Sequence, residues 1–274
     1  MDHGLNNDFL CAACKIEAHF EDDLKTSKGI SGTAFFVKNA KGEICLLTNR
    51  HVVDLDYKQK TAKYKNFKLT RVVVYNKEKN KITGLPTEEN KLIIVNHKDF
   101  IYSNIENDVA CLRNIQVIEA SGKRPLAINY WIAYDFIANK VRLEEKLTIC
   151  DFVAFPGYPD WYDRKNNLPI LRTGTIASDP RFDYSYDGND NGKVIAYEAF
   201  SFGGSSGSPV FAIEKGIIVG DGLSGGGHRE VMLIGINAGH LPIDGVVNSH
   251  SGISYFYKST TILELIDKEI NNYN

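Results

Sequence analysis

Three side chains of this sequence could together turn an alcohol into a nucleophile: His51, Asp108 and Ser206. Ser206 lies in the stretch Phe202-Gly203-Gly204-Ser205-Ser206-Gly207-Ser208-Pro209-Val210. Glycine tolerates positive φ, so several N–H groups of such a turn can point to one place. A serine there presents its hydroxyl and aims its own N–H at the same spot, which suits nucleophilic attack with a stabilised oxyanion. A serine hydroxyl is a weak nucleophile near neutral pH. It needs a base to take its proton and a carboxylate to orient that base. His51 follows directly on an apolar run, and Asp108 stands directly ahead of one. Each residue alone says little. The chain has seven histidines, an aspartate before a strand is usually a turn or cap residue, and a Gly/Ser stretch by composition also reads as a hairpin loop or linker.

The elements that must position these residues are short strands. Residues 7–20 read as a short helix or a first strand. Gly29–Val37 reads as a turn followed by a strand, and Glu43–Asn49 as the strand that ends at Arg50-His51-Val52-Val53. Leu69–Tyr75 and Lys91–Asn96 follow, then Val109–Leu112 behind Asp108. Residues 116–145 read as a connector with a helical piece over Tyr130–Val141. Leu147–Phe155, Ile170–Ser178, Val194–Tyr197, Val210–Ile213, Gly216–Val219, Val231–Asn237 and Ser254–Tyr257 complete the strand series, with a long polar loop over Asp179–Gly192. The pattern predicts a helix over Thr260–Ile270, with Thr261 and Glu264 as a capping box and Ile262, Ile266 and Ile270 as its apolar stripe. Many short strands with little helix point to an all-β fold of barrels or a sandwich.

Composition narrows the field. The chain has 274 residues with 43% hydrophobic and 24% charged residues, ordinary values for a globular protein. A net charge of −2 gives no reason to expect nucleic acid or an anionic membrane as partner. Spaced lysines over Lys58–Arg71, with Tyr57, Tyr64 and Phe67 among them, read as a solvated strand face. No apolar run is long enough to span a bilayer. The beginning of the chain shows no secretory signal, so a cytoplasmic location is expected; a secreted form already trimmed would read the same. Five cysteines, an odd number, point to reduced thiols. Cys45, Cys111 and Cys150 lie in apolar runs as small hydrophobes. Cys11 and Cys14 form a C-x-x-C without the second pair that a metal site needs, so no metal and no cofactor is expected.

Taken together, six pieces in order resemble a trypsin-like, chymotrypsin-fold serine peptidase, closest in style to the HtrA and glutamyl-endopeptidase type. They are Gly32-Thr33-Ala34-Phe35-Phe36-Val37, Leu47-Thr48-Asn49-Arg50-His51-Val52-Val53, Asn107-Asp108-Val109-Ala110-Cys111-Leu112, Phe155-Pro156-Gly157-Tyr158-Pro159, Gly204-Ser205-Ser206-Gly207-Ser208-Pro209-Val210 and Leu233-Ile234-Gly235-Ile236-Asn237. The resemblance implies two packed six-stranded antiparallel β-barrels with a C-terminal helix and a cleft between the barrels. The division it suggests is an N-terminal extension over residues 1–28, a first barrel over 29–120, a connector over 121–145, a second barrel over 146–258 and a helical segment over 259–274. It implies His51, Asp108 and Ser206 as a catalytic triad and the N–H groups of Gly204 and Ser206 as the oxyanion hole. Gly235, Ile236, Asn237 and Gly239 would pair with an extended peptide or protein substrate. Phe200 and Ser201 would line the primary pocket, and His240 would stand near it.

One departure from the resemblance matters. Zymogen-activated members carry an aspartate before the nucleophile, and Ser205 stands there. Either the oxyanion hole is preformed or a partner protein orders the Asp179–Gly192 region. Two other motifs lose to this reading. Gly203-Gly204-Ser205-Ser206-Gly207 spells the G-x-S-x-G of an α/β-hydrolase with Ser205 central, but a strand rather than a helix follows. Gly220–Gly225 spells a dinucleotide G-x-G-x-x-G, again with no helix behind it. The rival of another class is a peptide-binding module on the same fold, inactive or gated by a partner.

Overall fold

The computed structural model describes residues 5–59, 61–115, 127–216, 228–243 and 249–268. Among the described residues, thirteen strands and three α-helices, with four short 3₁₀ turns, make up the regular structure; the strands and α-helices carry the fold. In chain order they are β1 (Ala13–Glu21), β2 (Ser27–Lys38), β3 (Ile44–Thr48), α1 (Arg50–Val53), β4 (Lys68–Lys79), β5 (Pro86–Val95), β6 (Ile101–Tyr102), β7 (Ala110–Leu112), α2 (Lys140–Lys146), β8 (Phe152–Gly157), β9 (Ile170–Ile176), β10 (Val194–Glu198), β11 (Pro209–Ala212), β12 (Met232–His240), β13 (Ile253–Lys258) and α3 (Ser259–Ile266). The expected strand Gly216–Val219 falls outside the described residues but for its first one. The Gly220–Gly225 loop, Ile270 and residues 116–126 of the connector also lie outside them.

The strands form two antiparallel bodies. The N-terminal body is a seven-stranded sheet in the order β5-β4-β1-β2-β3-β7-β6, and the C-terminal body is a closed barrel in the order β10-β13-β12-β11-β8-β9. The chymotrypsin-like, mostly β architecture with a C-terminal helix thus holds. The first body differs in detail, with seven strands in an open ladder instead of six in a closed one. The seventh comes from residues first assigned to an N-terminal extension: β1 sits in the middle of that sheet, paired with β2 on one side and β4 on the other. Its alternation explains this. Cys14, Ile16, Ala18 and Phe20 are buried, while Lys15, Glu17 and His19 take the other face. A period-two apolar face needs a core, and the sheet supplies one.

β2 shows how the bodies join. Thr33–Val37 is buried on both faces. Ala34 and Phe36 point into the core of the first sheet, with Leu46, Val52 and Val74. Phe35 and Val37 point the other way, into a second core shared with Val194, Phe211, Leu233, Ile236 and Tyr257 of the barrel. Each fully buried Phe or Leu there is worth about 1.5–3 kcal/mol, so the two bodies share a packed core. Cys45 and Cys111 belong to that shared core as small hydrophobes. Cys150 does not. It is exposed, with a φ of 63° on the turn before β8, because the strand begins only at Phe152.

Two helical expectations are corrected. Tyr130–Val141 is not a helix. Ile132 bridges to Val37 and Ile137 to Leu233 with only a single 3₁₀ turn, Tyr134–Phe136, between them, and the helix α2 begins only after Asn139, whose side chain accepts from the Arg142 N–H at 2.9 Å. Asparagine at this position is a good N-cap. The final helix starts at Ser259, directly out of β13, so Thr261 falls inside its first turn and no capping box forms. Thr261 donates instead to the Lys258 carbonyl at 2.8 Å. Ile262 and Ile266 face the shared core as expected.

Candidate active site

The register of β3 against β7 places Thr48 opposite Ala110. Three residues beyond Thr48 lies His51, and two residues before Ala110 lies Asp108, so neighbouring strands deliver both side chains to one sheet end. Val52 and Val53 are buried and anchor the single helical turn that carries His51. The Asp108 carboxylate grips His51 twice. The His51 backbone N–H donates to Oδ1 at 2.9 Å, and Nδ1 of the ring lies 2.5 Å from Oδ2. A carboxylate can only accept there, so the ring proton sits on Nδ1 and the Nε2 lone pair faces the cleft. Asn49 steadies the carboxylate's backbone by donating from Nδ2 to the Asp108 carbonyl at 2.7 Å. Burial by itself disfavours the His51 imidazolium, but the charge of Asp108 and its hydrogen bond outweigh it, and the pKa lies above the usual histidine value.

Ser206 arrives from the other body on a loop whose shape needs its glycines. The Ser205 N–H closes a turn onto the Phe202 carbonyl at 2.9 Å, and Gly204 in that turn has a φ of 87°. Positive φ at the third residue is the signature of a type II turn. Gly207 has a φ of 88°, and a Cβ on it would lie 2.0 Å from the Thr33 carbonyl oxygen. The loop is stitched to the first sheet by Thr33. Its N–H donates to the Ser206 carbonyl at 2.9 Å, its hydroxyl donates to the Gly204 carbonyl at 2.7 Å, and the same hydroxyl accepts from the Tyr158 N–H at 2.9 Å. Gly32 fits between Val52 and the Ser206 carbonyl, where a Cβ would come within 3.2 Å and 3.4 Å of them. The histidine turn and the serine loop therefore both pack against Gly32.

Among the described residues the Gly204 and Ser206 N–H groups have no protein acceptor, which leaves both to a ligand oxygen. The Ser206 hydroxyl donates to the Ala238 carbonyl at 3.2 Å, and no hydrogen bond joins it to His51. A turn about χ1 frees it, since serine has three staggered wells. Ser205, which stands where zymogen-activated members carry the ion-pairing aspartate, is buried, and its hydroxyl has no hydrogen-bond partner among the described residues. The Asp179–Gly192 loop is tied down by its own chain. Lys193 N–H donates to Asn107 Oδ1 at 2.8 Å, beside Asp108, and the Tyr184 N–H donates to the Val194 carbonyl at 2.9 Å.

The expected substrate-contacting residues divide. Gly235, Ile236 and Asn237 are hydrogen-bonded on both sides, or face the interior, because β11 and β13 flank β12 there. Asn237 is fully buried. Its side chain donates to the Ser205 carbonyl at 2.9 Å and accepts from the Tyr197 hydroxyl at 2.7 Å. It supports the serine loop from below and does not face the cleft. Ser201 is also buried, beneath His250, and shares a hydrogen bond with the Ser254 hydroxyl at 3.0 Å. The residues a peptide can reach are Phe200, which is 57% exposed, and Gly239 and His240. β11 pairs with β12 no further than Ile236, while β13 continues opposite Gly239 and His240. One edge of Ala238–His240 is thus open to an added strand. His250 has no sequence signal of its own, yet its ring stacks on His240 at 4.2 Å, packs tilted against Phe200 at 4.8 Å and bridges the two expected walls of the primary pocket. Burial, then the nearby His240 and Arg172 charges, hold its pKa down at about 4. Thr33 and Asn49 were legible only as parts of their motifs; their cross-links appear in three dimensions.

No metal-binding cluster of three or more His, Cys, Asp or Glu occurs among the described residues. No curated protein matches the chain. A family model for the trypsin-like peptidase domain matches residues 32–220, a span that runs from Gly32 in β2 past the Ser206 loop. The match covers more than half of the chain and the whole of the histidine, aspartate and serine segments, and the chain belongs to the trypsin-like peptidase domain family.

Proposed function

We propose that this protein is a serine endopeptidase that hydrolyses peptide bonds through Ser206, His51 and Asp108 by way of an acyl-enzyme. The observation that carries the reading is the doubly held His51. With Nδ1 committed to Asp108, Nε2 is the free base on the cleft side. Ser206 Oγ leaves the Ala238 carbonyl, gives its proton to Nε2 and attacks the substrate carbonyl carbon. The developing oxyanion takes the N–H groups of Gly204 and Ser206; one such donor is worth about 10²–10³ in rate. The imidazolium then protonates the departing amine, and water repeats the sequence in reverse roles to release the acid. The substrate backbone lies along the open edge of Ala238–His240 as one more antiparallel strand. The φ of 87° at Gly204 and the anchored Asp179–Gly192 loop favour a preformed hole over one ordered by a partner.

A second reading has one observation in its favour. The Ser206 hydroxyl is bonded to Ala238 instead of His51, as in a peptide-binding module whose chemistry is switched off. A fluorophosphonate separates the two. The peptidase gains one covalent adduct, mapped to Ser206 by mass spectrometry, and Ser206→Ala gains none and loses turnover by about 10⁶-fold. An intact protein that stays unlabelled while retaining peptide removes the enzymatic reading.

A further inference from the structure

A cavity of about 240 Å³ opens beside His51 and is walled by five tyrosines, Tyr57, Tyr184, Tyr186, Tyr255 and Tyr257. The walls come from three places. Tyr255 and Tyr257 are two apart on β13 and so share one face of the barrel. Tyr184 and Tyr186 repeat that spacing on the Asp179–Gly192 loop, and Tyr57 follows the histidine turn. We propose that this cavity is the main side-chain recognition pocket of the cleft and that it takes an uncharged aromatic side chain from the penultimate residue, the one next to the acyl-side residue of the scissile bond. The assignment rests on the peptidase reading above and adds its substrate class.

Direction follows from strand geometry. A peptide laid along Ala238–His240 turns its acyl-side residue toward Phe200 and His240, and alternation turns the next side chain to the opposite face. The first position offers little room, because the His250 ring stands between Phe200 and His240, stacked on His240 and tilted against Phe200. On the opposite face the way is clear. Gly239 pairs with Tyr255, and a Cβ on Gly239 would stand 3.3 Å from the Tyr255 hydroxyl. Absence of a side chain there leaves the tyrosine exposed to the added strand.

Chemistry selects the guest. Flat phenol rings receive another ring by offset or edge-to-face packing. Burial pushes the Tyr255 phenol up to about 12, with the Asp108 charge adding to it, so this wall stays neutral. The charges at the pocket are already engaged. Asp108 is held by His51, and Lys58 lies 3.6 Å from the Glu106 carboxylate and donates to the Glu106 carbonyl at 2.9 Å. A charged guest would be desolvated without gaining a new partner. The wall formed by the loop is set in place, since Gly192 packs against Asn107 and Glu106, where a Cβ would come within 2.4 Å of Asn107 Oδ1.

The test uses the full chain and quenched peptides that differ only at the penultimate position, with an equimolar mixture at the acyl-side position. Wild type should prefer Phe and Tyr over Ala by about 10-fold or more in kcat/KM, the scale on which apolar pockets discriminate, with Glu and Lys below Ala. The Phe-to-Ala ratio should fall at least about threefold in Tyr184→Ala/Tyr186→Ala, about 0.65 kcal/mol, and hold in Tyr255→Phe, which keeps the ring. That ratio is internal, so a general loss of activity cancels, and a thermal melt reports folding of each variant. A flat penultimate profile in a protein whose Ser206 takes the fluorophosphonate overturns the pocket alone. A Phe preference that survives the double substitution does the same. Failure of wild type to label or cleave sinks the peptidase reading, and this assignment with it.

Discussion

His51 and Asp108 stand together at the end of one sheet and are joined by two hydrogen bonds. Ser206 belongs to the barrel, and what holds it in reach is backbone: the bonds from Thr33 to the Ser206 and Gly204 carbonyls and the bond from the Gly207 N–H to the Asn237 carbonyl at 2.9 Å. The first pair needs only adjacent strands in register. The serine needs two bodies docked face to face, two left-handed glycines and no side chain at Gly32. The contrast teaches where the site is vulnerable. Damage to the aspartate changes chemistry while leaving the fold, whereas damage to the loop changes the fold and loses chemistry as a consequence.

The comparison can be broken at four points, in decreasing size of effect. Asp108→Asn keeps the shape but lets the imidazole take the wrong tautomer, and kcat should fall by about 10⁴-fold with an unchanged melting temperature. A large loss of melting temperature would show that the pair also holds the sheet together. Gly207→Ala places a methyl against the Thr33 carbonyl in a left-handed backbone, combining strain with overpacking. Denaturant unfolding should show a loss of about 2–5 kcal/mol, and an unaffected stability would mean the loop is not pinned as described. Thr33→Val strips the hydroxyl from the Gly204 carbonyl and the Tyr158 N–H inside the protein. It should cost about 1–3 kcal/mol and slow labelling of Ser206, with the His51–Asp108 pair untouched. The smallest effect is in the pH profile. Because Asp108 raises the His51 pKa despite burial, the imidazolium persists to higher pH than in an ordinary histidine. The acid limb of kcat/KM should therefore lie above the usual value of about 6.5, and in Asp108→Asn it should move down. A limb at or below the ordinary value in wild type would contradict the pairing.

Strand order along the chain was readable because alternation and turn residues are local signals. The histidine and aspartate motifs were readable for the same reason: each sits at a strand boundary that apolar runs mark. Other features were not. β1 read as helix or strand because nine residues with Lys15, Glu17 and His19 on one face carry no sign of which sheet will cover the other. The capping box over Thr261 failed because β13 runs straight into the helix, a continuity that local pattern cannot see. The family resemblance implies Asn237 as a cleft residue, yet its amide is spent between Tyr197 and the Ser205 carbonyl.

Residue types and their order along the chain already contained the chemistry: an alcohol on a glycine turn, an imidazole after a strand, a carboxylate before one. These depend on intrinsic backbone preference and on functional groups, which travel with the sequence. Packing within the barrel and against the first sheet decided the rest. It set which carbonyl the Ser206 hydroxyl rests on, placed His250 between Phe200 and His240, and gathered five tyrosines from three separated segments around one cavity. Such contacts are made by residues remote in the chain and are paid for by a shared core, so no local stretch encodes them.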